Sequence, residues 1–468
     1  METLQRIHNR GSISTGYDID NSVKMQTAGV NSEFFNYTIS SAGSRTKGTV
    51  SMWIKRTNLG VLQYLWEQGN QDNDNGRLFV RFGTDDTLRL GGGSTVFLNT
   101  NRVFRDTSAW YHIVVAVDTT SGTANNRMRI YVNGVEETSF STRNNSSQND
   151  VTGLNWERQF VGLSVADESS FQSFSGYMAE VVFQDGVASA PTEFGEFDTN
   201  NIWIPKDASD VTMGTNGAYM KFENAASMGA ATAGHGFSVQ NINQNDQATD
   251  TPTNNFCTLN PLVNFKYTTN GITEGGTTFG DNTGGGVGGA FGTMAVTSGK
   301  WYWEMKLTEQ VSHYIGISAY PDDGDNVLVT SDPHQVNSSF VFNISAARRE
   351  YVNGGSLTTG NLDEFNDLHS TGYIIGIALN MDDNQINIYG NGSLQTGVQN
   401  SSIYDASNKM VVPFHATIND TVQYNFGGYS AWTPSSAASD ANGYGTFEYA
   451  PPSGYYALCS KNLAEFGG

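Results

Sequence analysis

Three acidic loops hold the side chains of this chain that could bind a metal ion. Ca²⁺ takes about six to eight oxygen ligands from carboxylates, amides and backbone carbonyls, and none of these loops has the spacing of an EF-hand. Each loop brings two or three such oxygens within a few positions: Asp72, Asp74 and Asn75; Asp322, Asp323 and Asp325; Asp382 and Asp383. The first two loops are candidate calcium sites, although an acidic turn between strands is also a common solvated corner. The third is best explained by hairpin geometry.

Aromatic side chains form the second group of candidate binding residues. The apolar face of an aromatic ring stacks on the C–H face of a sugar, while neighbouring Asn and Asp side chains bind its hydroxyls. Trp301 and Trp303 lie in a predicted strand, where tryptophan in a β-sandwich is more often a core residue. We therefore predict ligand binding at Tyr64, Trp66 and Trp110.

The sequence does not contain a local motif typical of catalysis. Glycan hydrolases use two carboxylates that flank the scissile bond. Glu180 and Asp185 are the nearest pair of this kind, but their spacing of five positions places them on opposite faces of a strand. The glycine-rich run at 284–292 has no Lys-Ser/Thr after it, which a phosphate-binding loop requires. His112 lies within a strand and is interpreted as structural. We predict that the protein is not an enzyme.

The charge of the chain excludes some partners. The formal net charge is −21 over 468 residues, and nucleic-acid binding needs clustered Lys and Arg that displace counterions. We expect no nucleic acid partner and no binding to anionic membranes. The chain has no apolar run near the ~20 residues needed to span a bilayer and no apolar signal core at its N-terminus. Cys257 and Cys459 match no metal or redox spacing, so we expect unpaired thiols.

Two hairpin patterns indicate the elements that position these residues. At 109–136, two alternating strands flank a polar loop, and an Asn-Gly turn follows the second strand. Ile113, Val115 and Val117 share one face of the first strand, and Met128, Ile130 and Val132 share one face of the second. A similar pattern returns at 372–395. Two strands need a second sheet packed about 10 Å away, so the pattern predicts β-sandwiches.

The whole chain is predicted to be all-β, with two antiparallel β-sandwich (jelly-roll) domains. Many Gly, Tyr and Phe residues and few charged residues are typical of short strands joined by tight turns. A Gly/Ala/Asn/Thr-rich segment between the sandwiches is interpreted as a linker. The predicted parts are an N-terminal arm at 1–29, a sandwich at 30–224, the linker at 225–256, a sandwich at 257–427 and a C-terminal tail at 428–468 packed on the body.

Several motifs resemble known families. WYHIVVAVD at 110–118, RIYVNGVE at 129–136 and GYMAEVVFQDGVAS at 176–189 resemble the laminin-G-like, concanavalin-A-like lectin sandwich. SGKWYWEM at 298–305, YIGIS at 314–318 and the hairpin at 372–395 resemble a SPRY-type sandwich. The order of these domains, the opening NRGSISTGYDIDNSVKM and the closing YAPPSGYYAL resemble virion structural proteins of tailed bacteriophages.

The resemblance implies a non-enzymatic protein on the exterior of a phage particle. It would be a fibre, spike or decoration component, made in the host cytoplasm without a signal peptide, that binds glycans or other host surface structures through its loops. Its partners would be other virion proteins, and repeated weak sites favour a homo-oligomer, with a trimer fitting a fibre best. Two alternatives stay open: a purely structural decoration or adaptor protein that binds no sugar, and a glycan depolymerase.

Overall fold

The computed structural model of the protein describes most of the chain. The described residues are 16–26, 31–70, 76–164, 172–264, 271–280, 287–308, 313–319, 339–344, 348–353, 356–361, 370–395, 401–402, 410–418 and 420–467. They form two compact units, which we call the N-terminal unit, Met1–Thr253, and the C-terminal unit, Asn254–Gly468. The described part of each unit is built almost entirely from strands, so the predicted all-β class of antiparallel sandwiches is confirmed.

The described part of the N-terminal unit contains nineteen strands and two main sheets. The first sheet has the order β10-β9-β8-β3-β13-β1-β19, with β16 on β13 and β17 on β16, and the second has the order β11-β7-β6-β5-β4-β12-β2-β18. The strands are β1 Ser22–Met25, β2 Phe34–Thr38, β3 Lys47–Arg56, β4 Gln63–Gly69, β5 Arg77–Phe82, β6 Thr87–Gly92, β7 Thr95–Val103, β8 Tyr111–Asp118, β9 Met128–Val132, β10 Val135–Glu136, β11 Phe140–Arg143, β12 Arg158–Val161, β13 Gly176–Asp185, β14 Gly195–Phe197, β15 Trp203–Pro205, β16 Ala218–Met220, β17 Ala233–Gly234, β18 Ser238–Gln240 and β19 Gln247–Ala248.

The hairpin β8–β9 shows how alternation builds the core of this unit. Ile113 pairs with Val132 and Val115 pairs with Ile130 across the two strands. Together with Val117 and Met128, these side chains lie in the core cluster between the sheets, as the alternation predicts. The opposite face of β8 also meets apolar side chains, because Val114 and Ala116 pack against Phe194 and Tyr219. The first sheet is therefore covered on both faces.

The segment predicted as a linker belongs to the N-terminal unit. β17 pairs with β16, β18 extends the second sheet beside β2, and β19 extends the first sheet beside β1. The boundary between the units falls between Thr253 and Asn254 rather than within a free segment at 225–256. The predicted arm at 1–29 also differs from the structure, because β1 is an inner strand between β13 and β19. Such short strands have too few residues to show a period of two.

The C-terminal unit has sheets in the orders β20-β23-β33-β25-β26-β27-β28 and β21-β22-β34-β24-β29-β30-β31, with β32 on β30 and β35 on β24. Its strands are β20 Leu259–Asn264, β21 Ile272–Thr273, β22 Thr278–Gly280, β23 Val287–Gly292, β24 Lys300–Leu307, β25 His313–Ala319, β26 Ser339–Asn343, β27 Arg348–Asn353, β28 Ser356–Asn361, β29 Ile374–Asn380, β30 Gln385–Gly390, β31 Ser393–Leu394, β32 Ser401–Ser402, β33 Val411–Ile418, β34 Thr421–Asn425 and β35 Tyr456–Ala457.

The C-terminal unit also contains the residues after 427. Strand β35 runs parallel to β24, and the helix Ser460–Phe466 follows it. Phe447 is buried against Tyr302 of β24, with their ring centres 5.2 Å apart. Within the described part of the chain, no helix has the length and apolar character needed to cross a membrane.

Candidate functional site

Burial corrects the role of two of the three predicted ligand-binding aromatics. Trp66 is 0% exposed and Tyr64 is 6% exposed, so neither offers a ring face to a sugar. Trp66 lies in the core against Phe183, whereas Tyr64 lies on the outer face of the second sheet. Trp110 is partly exposed, but its indole N–H donates to a carboxylate oxygen of Asp250 at 3.0 Å.

The predicted calcium loops lie outside the described residues. This applies to Asp72, Asp74 and Asn75 in the first loop and to Asp322, Asp323 and Asp325 in the second. The third loop is a hairpin turn in which Asp382 accepts the backbone N–H of Gly299 and Asp383 accepts a side-chain N–H of Asn380. Among the described residues, no group of three or more His, Cys, Asp and Glu side chains is arranged to hold a metal ion.

A cavity of about 530 Å³ lies in the N-terminal unit. Its floor is apolar, because Met228, Phe237 and Ile242 are buried and belong to the core cluster of the sandwich. Its rim is polar and exposed, and it carries Ser227, Asn243, Gln244 and Asn245. An apolar floor with a few amide and hydroxyl groups around it suits an uncharged, hydroxyl-rich ligand with one apolar face.

Two short 3-10 turns hold the walls of this cavity in place. Asn243 caps the turn Gln244–Asp246, since its side-chain oxygen accepts the backbone N–H of Asn245 at 2.9 Å. The Asp246 carboxylate accepts the backbone N–H of Asn243 at 2.8 Å and forms a buried ion pair with Lys24 of β1 at 2.9 Å. The wall is therefore fixed to the first sheet before any ligand arrives.

Sequence reasoning missed this cavity because its residues lie in the segment taken as a linker. The segment is poor in large apolar groups, and its few apolar residues have no regular period. One signal was present in the sequence: Asn243 followed three positions later by Asp246 is the pattern of a capping box, which marks an ordered turn.

A row of polar side chains crosses the outer face of the second sheet, within the same unit. Tyr64 lies opposite Arg81, Arg81 lies opposite Arg89, and Arg89 lies opposite Asn99, so the row spans β4, β5, β6 and β7. Arg81 donates a hydrogen bond to the Tyr64 hydroxyl, and its guanidinium carbon is 4.3 Å from the ring centre of Phe79. Burial raises the pKa of Tyr64, which keeps the phenol neutral as an acceptor.

Part of the N-terminal unit is similar in sequence to a known family. Residues 32–192 match the family model for the concanavalin A-like lectin/glucanases superfamily. The match covers about a third of the chain and includes the row of polar side chains, whereas the cavity residues follow it. The laminin-G-like, concanavalin-A-like resemblance of the N-terminal sandwich is confirmed over these residues. No curated protein sequence matches the chain.

Solved structures with similar strands come from several proteins. The mouse laminin alpha1 chain, domains LG4-5, is 9% identical with a TM-score of 0.31 and covers 88% of this chain and 90% of its own. The SPRY domain of human HERC1 is 18% identical with a TM-score of 0.25 and covers 36% of this chain and 96% of its own. A heptameric SAP-like pentraxin from Limulus polyphemus is 18% identical with a TM-score of 0.28 and covers 37% of this chain and 80% of its own. These TM-scores lie well below 0.5, so the three structures do not bear on the ligand of this chain.

Glu180 is a buried carboxyl of the N-terminal unit that lies at a strained backbone position. Glu180 lies at a β-bulge of β13 with a positive φ of 50°, and it accepts hydrogen bonds from the hydroxyls of Tyr17 and Tyr219. Asp185 has different partners, since its carboxylate accepts the backbone N–H groups of Ser44 and Asn216. The two carboxyls named in the sequence therefore do not form a hydrolytic pair.

Replacing Glu180 with glutamine is expected to remove part of the pH dependence of unfolding. Burial raises the pKa of Glu180 from its ordinary 4.5 to about 7. Because the folded state favours the protonated carboxyl, its stabilising contribution is complete below pH 4.5 and is lost as the pH rises through 7. At about 1.4 kcal/mol per pKa unit, the free energy of unfolding of the wild type should fall by ~3 kcal/mol more than that of the variant across this range.

Urea unfolding of the wild-type protein and Glu180→Gln at pH 5 and at pH 8 measures this difference. Between pH 5 and pH 8, the unfolding free energy of the wild-type protein should fall by more than that of Glu180→Gln. Two curves that stay parallel across this range would show that Glu180 does not titrate in the folded protein.

Proposed function

We propose that this protein binds glycans on the exterior of a tailed-bacteriophage particle, as a fibre, spike or decoration component. The observation that carries the glycan part is the cavity of about 530 Å³ in a unit that matches a lectin family model over residues 32–192. A cavity of this size lies within the range of small-ligand sites, which is roughly 300–1,000 Å³.

The chemistry of the cavity supports a sugar as its ligand. A pyranose has an apolar C–H face, which would lie over Val239, a cavity residue that is 41% exposed above the buried apolar floor. The hydroxyls at its edge would meet amide groups of Gln244 and Asn245, which can donate and accept hydrogen bonds at once. None of the described residues that line the cavity is charged, so a neutral sugar would enter it without displacing the water around a charged group.

The virion role rests on the sequence motifs that open and close the chain and on the order of its two sandwiches. A particle displays many copies of a surface protein, and repeated weak sites gain avidity. The proposal therefore includes a homo-oligomer, with a trimer favoured, and contacts with other virion proteins. It places the protein outside the particle after synthesis in the host cytoplasm.

One observation favours the alternative of a structural adaptor that contacts capsid or tail partners. Val135 and Phe197 are 55% and 45% exposed, and the Phe197 ring lies 4.9 Å from the ring of Trp203. Apolar side chains exposed in this way could contribute to a contact with a protein partner if they lie within one contiguous patch. An adaptor would use such a surface without needing the cavity.

Filling the cavity separates these functions. Ser227 is exposed on the cavity rim, so Ser227→Trp should fold normally and place an indole over the floor. We expect this variant to lose at least about tenfold in affinity for isolated host envelope polysaccharide, because a bulky side chain excludes the ligand. Ser147→Trp is the matched control, since Ser147 is exposed in a loop that does not line the cavity.

Binding is measured by titration of the full chain with the polysaccharide, with circular dichroism as the check on folding. Equal affinity of the wild-type protein and both variants would rule out the cavity as the glycan site. No binding by the wild-type protein, even as an oligomer, would leave the adaptor function.

A further inference from the structure

Two arginines lie directly opposite each other on the outer face of the second sheet. Arg81 of β5 pairs with Arg89 of β6 in the sheet register. Directly opposed side chains in an antiparallel pair have Cβ atoms about 4.5–5.5 Å apart, and like charges at such positions destabilise the sheet. The chain carries 25 basic residues and 46 acidic residues. A pair of opposed cations is therefore unexpected unless something anionic lies over it.

The charge of Arg81 has only a neutral partner. Its guanidinium donates to the Tyr64 hydroxyl and lies over the rings of Phe79 and Tyr64, with its carbon 4.3 Å and 5.1 Å from their centres. In the part of the chain that the structure describes, no carboxylate lies within 4.0 Å of Arg81. The buried Nε–H of Arg81 donates to no partner among these residues.

Arg89 has a partner that is open to exchange. It donates to the Asp85 carboxylate at 2.8 Å, and the Asp85 side chain is 49% exposed. An exposed ion pair contributes little to stability, so a ligand can compete with Asp85 at small cost. Its Nε atom is likewise buried without a hydrogen-bond partner among the described residues. Both arginine side chains are partly exposed and lie opposite each other on this face.

The surroundings hold the two guanidinium groups in place. Arg81 is fixed between the Tyr64 hydroxyl and the face of Phe79. Gly83 provides room for Arg89, because a Cβ at this position would lie 2.6 Å from its guanidinium carbon. A planar guanidinium held in advance loses little entropy when it binds a carboxylate or a sulfate group.

We propose that Arg81 and Arg89 form a subsite for the anionic group of an acidic polysaccharide, either a carboxylate or a sulfate ester. This inference rests on the proposed glycan-binding function: the cavity would take a neutral sugar unit, and the two arginines would take an anionic substituent elsewhere on the same polysaccharide. The site is local, since the protein as a whole repels polyanions through its net charge of −21. Binding to a polyanion would therefore have to come from this face rather than from the overall charge.

The test compares three polysaccharides that share one backbone: dextran, carboxymethyl-dextran and dextran sulfate. The full chain is titrated with each at low salt and again at ~0.15 M salt, where the Debye length is about 8 Å. We expect saturable binding to at least one of the two anionic forms, weakened by salt, and much weaker binding to neutral dextran. Binding to carboxymethyl-dextran would show that the site accepts a carboxylate, and binding to dextran sulfate would show that it accepts a sulfate ester.

Three test variants and one control locate the binding. Arg81→Gln and Arg89→Gln should each raise the Kd for the anionic dextran by about tenfold, a typical loss for one charge-assisted contact. Arg129→Gln is the control, because Arg129 lies on β9 of the first sheet and contacts the ring of Tyr131. Asn99→Asp keeps the acceptor for the Thr87 hydroxyl, so this variant should fold well. Its new carboxylate lies beside Arg89, so it should weaken the binding of the anionic dextran.

Each outcome decides the proposal. Equal affinity for dextran and its anionic forms, or loss of binding in Arg129→Gln alone, would overturn it. If one of these results is found while host polysaccharide binds the wild-type protein and Ser227→Trp abolishes that binding, the anionic subsite fails and the glycan-binding function stands. If neither host polysaccharide nor any dextran binds, both fail together.

Discussion

Glu304→Ala is expected to lower the free energy of unfolding of the C-terminal unit by about 3–5 kcal/mol. Glu304 is 0% exposed on β24 and accepts four hydrogen bonds. Two come from the backbone N–H groups of Glu448 and Tyr449 at 2.8 Å, and two come from the side chains of Asn425 and Tyr302 at 3.2 Å. Alanine leaves all four donors without this acceptor in a buried place, and at about 1 kcal/mol for each donor, the lower end of the usual cost, the loss is about 4 kcal/mol.

The bonds from Glu448 and Tyr449 connect the residues after 427 to β24, so the effect of losing them should be measurable at these two residues. Hydrogen exchange at the amides of Glu448 and Tyr449 should accelerate in Glu304→Ala, because these two N–H groups lose their acceptor. Glu304→Gln is the graded control, since its amide keeps one acceptor oxygen and should lose less stability. An alanine variant within about 1 kcal/mol of the wild type, with unchanged exchange, would contradict this role.

The largest effect in the N-terminal unit is expected at the buried ion pair of Lys55 and Asp250. Their side chains are 0% and 1% exposed, and the ammonium lies 2.7 Å from the carboxylate. Asp250→Ala leaves a buried ammonium without its counter-charge and removes the acceptor of the Trp110 indole N–H. We expect a loss of about 3–5 kcal/mol in the free energy of unfolding.

A double-mutant cycle isolates the pair from other effects of substitution. Lys55→Met with Asp250→Ala should cost much less than the sum of the single substitutions, because the double variant has no unpaired buried charge. The exposed pair of Lys47 and Asp118 is the matched control, with side chains 39% and 24% exposed, and its disruption should cost only about 0.2–1 kcal/mol. Additive losses at Lys55 and Asp250 would argue against a coupled pair.

The position of Asp250 also tests the extent of the N-terminal unit. Asp250 lies in the segment that the sequence predicts to be a linker, whereas Lys55 lies on β3. A free linker could not supply a buried counter-charge to an inner strand. A large loss on substitution would therefore agree with the boundary after Thr253.

The sandwich class and the main hairpins could be predicted because their strands are long enough to alternate. Eight residues of β8 and five of β9 show a period of two, and their apolar faces meet in the core. The strands β17, β18 and β19 have two or three residues each, which is too few for a pattern. Their place is set by pairing with β16, β2 and β1, and pairing partners cannot be identified from the segment itself.

The row of polar side chains on the second sheet was less predictable because it depends on strand register. Tyr64 and Trp66 are two positions apart, and regular alternation would place them on one face. A register shift between them sends Trp66 into the core and leaves Tyr64 on the outer face. The opposition of Arg81 and Arg89 likewise comes from the register of β5 against β6, which the sequence of either strand does not reveal.

The central claim is that this protein binds a glycan through its N-terminal unit. The most direct test is a titration of the full chain with isolated host envelope polysaccharide, with and without a calcium chelator. We expect saturable binding that Ser227→Trp abolishes and Ser147→Trp leaves intact, and a loss of binding with chelator would point to the acidic loops at 72–75 and 322–325. Absence of binding by an oligomeric preparation at high concentration would contradict the claim and favour a protein that only builds the particle.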